Sequence, residues 1–315
     1  MRLNERHLMQ LAATLDAGGV TGGAALLGLT QPAVSRSLAA LEARLGAPLF
    51  EPGRRPLAPT PLGAELAAHG RVLLAASRRA AEAAEAHLRG ASGLVRVGGV
   101  PFFLDAMISR MVATFQAAEP GVAVRQSYGN ADEMAAMLLA DLVDLAVVPL
   151  ASGEARPGLR FTEILPGRNV VAARAGHPLA RRRRLRAPDL LAFPWVAPLP
   201  GSPLHADLRS ILVGLGAAEV AVRYSGGSLL SVETYMAESD ALAILPFSVV
   251  FAQRKAGRLV ALPFDIPQPQ RALGLLRLPD PRNPAALRLA AHVEASFADL
   301  RHLIRRHEEA IVWGP

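Results

Sequence analysis

The chain has 315 residues, 51% of them hydrophobic, and a net charge of +7 that rests on arginine, Lys255 being the single lysine. That length accommodates two or three domains with sizeable cores, and the basic balance suits a polyanionic partner, although arginine and alanine richness also accords with a GC-rich genome. The absence of cysteine excludes disulfides, thiolate nucleophiles and cysteine metal sites, and no apolar run approaches the roughly 18 residues of a membrane span.

The first ten residues, MRLNERHLMQ, carry charges among their apolar positions and do not read as a secretory signal, so a cytoplasmic location is expected. Leu8, Leu11 and Leu15 predict a first helix, and Leu26 and Leu27 a short second one ending at Gly28. A third helix is predicted from Thr30 to Leu45. Thr30 is its candidate N-cap, with a hydroxyl available to a first-turn N–H. Pro32 falls where its missing N–H costs nothing. Leu29 and Val34 have the spacing of a hydrophobic staple, and Gly46 supplies the stop. Val34, Leu38, Leu41 and Leu45 form an apolar stripe. The opposite face holds Gln31, Ser35, Arg36 and Ala39. Taken alone, the pattern fits an amphipathic core helix with a solvated polar face equally well; with the two helices before it and the Pro-rich segment after it, it fits a helix-turn-helix, whose second helix enters the DNA major groove: Gln31 and Ser35 lie one turn apart to reach base edges, and Arg36 reaches a guanine or a phosphate. Residues 48–60, PLFEPGRRPLAPT, read as a wing whose Arg54 and Arg55 neutralise phosphates.

These residues carry a resemblance. Gly18, Ala24, Leu27, Gln31, Pro32, Ala33, Val34, Ser35, Leu41, Glu42, Leu45, Gly46, Leu49, Phe50, Thr60 and Gly63 match the pattern of LysR-type transcriptional regulators over 8–63. The match continues more weakly along the rest of the chain. Gly19 and Val20 depart from the family's Ser-Phe pair, Gly23 from an alanine, and Pro52 from an arginine that contacts phosphate. The extra glycines are expected to loosen the second helix, at about 1 kcal/mol each.

Residues 61–89 predict one long helix. Leu62, Leu66, His69, Leu73, Ala76, Ala80, Ala83 and His87 alternate at steps of four and three, a thin coiled-coil seam that Gly70 interrupts at some cost. Pairing with a second subunit is expected, the alternative being a helix packed on its own domain, because the segment occupies the family's linker-helix position and a dimer presents two recognition helices about one DNA turn apart. GASG at 90–93 is expected to end the helix and act as a hinge.

From Leu94 onward, strands alternate with helices. Strands are expected at 94–99, 122–128 and 142–149, with helices from Phe103 to Glu119 and from Ala131 to Ala140, a βαβαβ pattern that implies a parallel sheet. A second block offers strands at 170–176, 193–198, 221–226, 241–246 and 259–264. A late strand at 271–279 returns to the first block, and a helix from Pro284 to Arg305 follows.

The resemblance implies an α/β architecture: an N-terminal all-α winged helix-turn-helix at 1–60, a long linker helix at 61–90, and a two-lobed periplasmic-binding-protein-like domain at 91–315. Lobe I spans about 91–163 and 269–315, and lobe II about 164–268. Crossings near Phe161–Leu165 and Pro267–Arg271 form the hinge, and closure on an effector is the implied motion. The implied species is a dimer or homotetramer on a pseudo-palindromic double-stranded operator, with RNA polymerase as a further partner.

Ligands of open α/β sheets bind beyond the carboxyl ends of strands, at helix starts. Four such starts are Val100, Pro101 and Phe102; Asn130; Ser202 within Gly201-Ser202-Pro203; and Ser228 after Gly226-Gly227. Phe247 is a candidate wall. N–H groups and hydroxyls there favour an anion, a small carboxylate, with Arg125 or Arg168 in reach. A Ser or Asn at such a place also serves as an ordinary cap. The run Arg181 to Arg184 with Arg186 reads as a solvated loop. The eight histidines lack metal spacing, no phosphate loop or nucleophile elbow occurs, and no catalytic constellation is found, so neither an enzyme nor a metal or other cofactor is expected. The alternative is a solute-binding protein without a DNA role.

Overall fold

A computed structural model describes residues 3–53, 57–88, 93–151, 153–198, 203–217, 222–281 and 283–312. The described residues divide into two compact units: the chain up to the end of the fourth helix together with 140–142, and the remainder.

The first unit is built from α1 (Glu5–Asp16), α2 (Val20–Leu26), α3 (Gln31–Leu45) and α4 (Pro61–Leu88). Leu8, Leu11, Ala24, Val34, Leu38, Leu41, Leu49 and Ala67 form its core, the one-sided stripes of amphipathic helices folded together. Gly46 ends α3 in the left-handed region at φ 67°. Thr30 has the extended conformation of an N-cap, but its hydroxyl makes no capping bond. The first-turn N–H groups of Ala33 and Val34 already donate to the Thr30 carbonyl, at 3.0 and 3.2 Å. Leu29 is exposed, so the expected staple on Val34 gains no core packing.

Gly23 and Gly70 stand at close helix contacts. A Cβ on Gly23 would lie 2.6 Å from Thr14 Cα, and one on Gly70 would strike the Leu8 carbonyl group. They mark where α2 and α4 cross α1 at backbone distance. Leu62, Leu66 and Leu73 pack on the unit's own core. The first half of the α4 seam therefore faces inward, whereas Ala76, Ala80 and Ala83 remain exposed.

The second unit holds two five-stranded sheets. The first contains β1 (Gly93–Gly99), β2 (Val122–Tyr128), β3 (Leu145–Ala151), β4 (Arg160–Pro166) and β10 (Arg271–Arg277), in the order β2-β1-β3-β10-β4. The second contains β5 (Asn169–Arg174), β6 (Trp195–Ala197), β7 (Val222–Ser225), β8 (Leu242–Pro246) and β9 (Leu259–Ala261), in the order β7-β6-β8-β5-β9. The pairs β1–β2, β1–β3, β6–β7 and β6–β8 are parallel, as the βαβ pattern implies. Each sheet is completed by antiparallel strands: β10 runs against β3 and β4, and β5 against β8 and β9. These strands enter each sheet directly from the other one, without the helical crossover that makes neighbours parallel. Phe161–Leu165 lies within β4, so the chain crosses between sheets just after it, at 167–168, and returns at 262–270.

A helical run follows β1: α5 (Pro101–Phe103), a π-turn at Leu104–Ile108 and α6 (Ser109–Ala118). The other helices are α7 (Ala131–Leu139), α8 (Ala187–Leu191), α9 (Pro203–Gly214), α10 (Leu229–Ala237), α11 (Phe247–Gln253) and α12 (Pro284–Val312), the last longer than its expected end at Arg305. The period-two pattern of β5 separates two cores: Val171 and Ala173 pack with Leu208, Ile211 and Leu212 of α9, whereas Val170 and Ala172 join Phe102, Phe247 and Leu289. Residues 181–184 and Arg186 are exposed, with Arg182 paired to Asp189 at 2.7 Å. No described helix is long and apolar enough to cross a membrane.

His177 is fully buried beside Phe193, at 4.6 Å between ring centroids. Nδ1 accepts from the Leu179 N–H at 3.1 Å, which assigns the proton to Nε2, facing the Asp240 carbonyl at 3.2 Å. Burial holds its pKa below the ordinary 6.5, against a smaller opposing pull from Asp240. A folded pKa below the unfolded one stabilises above about pH 6.5, and the contribution is lost as pH falls through and below that value. His177→Asn retains an acceptor in place of Nδ1 and removes the titration. The melting temperature of the parent is expected to fall more steeply than that of His177→Asn below about pH 6.5; parallel curves would exclude this group as a source of acid sensitivity.

Candidate nucleic-acid interface and effector cleft

The buried stripe of α3 fixes which face it turns outward. Val34, Leu38 and Leu41 are buried, and Gln31, Pro32, Ser35, Arg36 and Ala39 are exposed. The expected reading residues therefore share one free surface at one-turn spacing, which base-edge recognition requires.

Three family-pattern residues shape the start of the wing. Glu42, on α3, accepts the Leu49 N–H at 2.7 Å. Thr60 donates its hydroxyl to the Pro48 carbonyl at 2.9 Å and accepts the Gly63 N–H at 3.1 Å, capping α4. A Cβ on Gly63 would collide with the Leu49 carbonyl, so glycine alone fits there. Phe50 and Pro59 form an antiparallel bridge, and Glu51 N–H donates to Ala58 at 2.9 Å. The two arms of the wing are thus tied to α3 and α4 together. The tip residues Arg54 and Arg55 lie outside the described residues.

The expected effector residues have mixed surroundings. Val100 caps α5 from the end of β1 and is partly buried beside the core, with Pro101 behind it. Phe102 and Phe247 are buried in the core itself and carry packing. Asn130 accepts the N–H groups of Asp132 and Glu133, each at 3.0 Å, while Glu133 accepts the Asn130 N–H at 2.8 Å. Ser228 accepts the Ser231 N–H at 3.2 Å. Both side chains are engaged as helix caps. Ser202 lies outside the described residues.

The crossover segments line a groove of about 800 Å³ whose walls include Phe161, Arg168, Phe264, Gln268, Arg271 and Glu308. Of the expected effector residues that are described, the helix-start set (Val100, Pro101, Phe102, Asn130 and Ser228) and Phe247 do not line it, whereas Arg168, expected within reach of the anion, does. Gln268 bonds the backbone of Asn169 on both sides, accepting its N–H at 2.6 Å and donating to its carbonyl at 2.9 Å, which ties one crossing to the other. Burial pushes the Glu308 carboxyl up, against the pull of Arg168 at 3.6 Å. Arg271, at the start of β10, makes a two-pronged ion pair with Asp207 of α9, one prong being Nη2 to Oδ1 at 3.1 Å. This pair escapes sequence reading, because its members stand 64 positions apart and neither belongs to a local motif.

Residues 6–64 match the family model of the bacterial regulatory helix-turn-helix protein, lysR family, and residues 88–298 that of the LysR substrate binding domain. The SDS degradation transcriptional activation protein of a Pseudomonas strain is 32% identical over 82% of this chain and 83% of its own. The HTH-type transcriptional regulator PcaQ of Agrobacterium fabrum is 26% identical over 94% and 96%. Among solved structures, a full-length OxyR variant from Pseudomonas aeruginosa superposes with a TM-score of 0.61 at 18% identity, covering 93% of this chain and 95% of its own. CbnR in complex with its target DNA gives 0.57 at 20%, covering 93% and 100%. The structural likenesses carry the fold. The two matched domains together span most of the chain, and it belongs to the family of LysR-type DNA-binding transcriptional regulators.

Proposed function

We infer that this regulator reads a pseudo-palindromic operator through Gln31, Ser35 and Arg36 of α3, with Thr30 and Pro32 at the helix entrance and Arg54 and Arg55 on the flanking phosphates. The supporting observation is the exposure of that polar face directly opposite the buried Val34–Leu38–Leu41 stripe. Two copies joined through the exposed small-residue half of α4 set the spacing of two such helices, and pairing of dimers gives a tetramer. A small carboxylate effector held between the two sheets alters that assembly and its contact with RNA polymerase. Work on DNA places the protein in the cytoplasm.

Footprinting on the DNA upstream of the gene, across a salt series and with small carboxylates, tests this reading. The expected result is protection of a two-fold site that weakens steeply with salt and extends or shifts with one acid. Protection that no acid alters would remove the carboxylate. Arg36→Ala is expected to lower operator affinity by about 1–3 kcal/mol, roughly five- to 150-fold, in a mobility-shift titration. Unchanged affinity would mean that α3 presents a different face to DNA.

A further inference from the structure

We propose that Arg271 is the carboxylate receptor of the effector site, and that Asp207 is the internal carboxylate it exchanges for a small monocarboxylate effector. The proposal rests on the carboxylate reading above and names the residue that receives the acid.

A carboxylate in a cleft needs a cation, and the helix starts marked by the sequence provide none. Arg271 provides one. It lines the groove at the crossing between the sheets, and its side chain is 19% exposed, whereas that of Asp207 is 8% exposed. The guanidinium already holds a carboxylate in the forked, two-pronged geometry that such an acid would adopt. Asp207 thereby marks both the ligand chemistry and its geometry.

The two halves of the pair belong to different sheets. Arg271 begins β10 of the first, and its carbonyl accepts the Gly167 N–H at 2.8 Å at the crossing. Asp207 rides on α9, which packs on the second. Exchange of Asp207 for a free acid therefore replaces a direct tie between lobes with a ligand-mediated one, and the difference in contacts supplies the coupling to lobe geometry. Besides Arg271, the groove's described lining has one further cation, Arg168, against the carboxylates of Glu154, Glu163, Asp265 and Glu308. Their negative charge disfavours a second carboxylate on the ligand, so the effector is a monoacid.

The test uses the full-length protein, with acetate as probe and chloride as control. Asp207→Ala removes the internal competitor. Acetate is expected to raise its melting temperature along a saturable curve that equimolar chloride does not reproduce, with at least a tenfold lower midpoint than in the parent. Adding Arg271→Gln is expected to abolish that response. Equal acetate responses in parent, single and double variants overturn the proposal. If Asp207→Ala does not fold, the near-isosteric Asp207→Asn is titrated instead, and a midpoint equal to the parent's overturns it. Operator footprints separate this proposal from the reading beneath it. An acid-dependent shift that survives Arg271→Gln keeps the carboxylate effector and removes Arg271 as receptor. Saturable acetate rescue with no acid altering the parent's footprint keeps Arg271 as a carboxylate receptor and removes the acid as the regulatory signal.

Discussion

Gly70→Ala is expected to unfold the N-terminal unit and abolish operator binding while the C-terminal unit stays folded. Two effects oppose each other. Alanine in a helix interior gains about 1 kcal/mol over glycine. The new Cβ, however, would collide with the Leu8 carbonyl oxygen, 2.7 Å from its carbon and 3.0 Å from Ala12 Cβ. Backbone cannot rotate away as a side chain can. The two helices must separate, opening a core in which Leu11 and Ala67 are fully buried. Overpacking of this kind costs about 3 kcal/mol or more where relief requires backbone movement, so the clash prevails over propensity. Calorimetry is the check: the transition of the N-terminal unit should fall or vanish and that of the C-terminal unit should remain. An unchanged lower transition with normal operator binding would show that α1 and α4 separate at little cost.

The same glycine shows where sequence reading stops. The spacing within α4 identifies Gly70 as an interruption, because spacing along one helix says nothing about what crosses it. Its role as a contact point exists only once α1 lies across α4. Gly23 and Gly63 repeat the lesson against Thr14 and Leu49. By contrast, α3 was legible almost to the residue, since its signals are local: a first-turn proline, a four-three-four stripe and a glycine at positive φ. The strands were legible from their apolar runs except β4, whose stretch at Arg160–Pro166 was read only as a hinge crossing; strand direction leaves no mark in residue type, and the antiparallel entry of β5 and β10 had to come from connectivity. At the effector site the ambiguity was chemical. Asn130 and Ser228 offer the same oxygens to a helix end as to a ligand, and the helix ends take them.

Asp144→Ala is expected to destabilise the C-terminal unit by about 3–5 kcal/mol, the cost of removing the carboxylate that is ion-paired with a buried guanidinium. Arg96 is 5% exposed in the middle of β1. Its Nη2 donates to Asp144 Oδ1 at 2.8 Å, while its Nε and backbone N–H donate to Oδ2 at 3.2 and 2.8 Å. Asn283, just ahead of α12, donates to the same Oδ2 at 3.2 Å and to the Leu94 carbonyl at 2.7 Å. One carboxylate thus joins β1, the approach to β3 and the start of α12. The pair itself is not what makes the unit stable, since two charges removed from water roughly offset their own attraction. The double variant Arg96→Met/Asp144→Leu should therefore recover most of the loss, leaving a coupling energy well above that of the exposed pair Arg71–Asp16. Chemical denaturation of parent, singles and double closes the cycle. If the double variant is as unstable as Asp144→Ala, the network carries strand register as well as charge balance, and the Asn283 bonds become the next to remove. Operator binding at low temperature supplies the functional counterpart. Since the N-terminal unit has its own core, Asp144→Ala should remove the response to effector before it removes DNA binding.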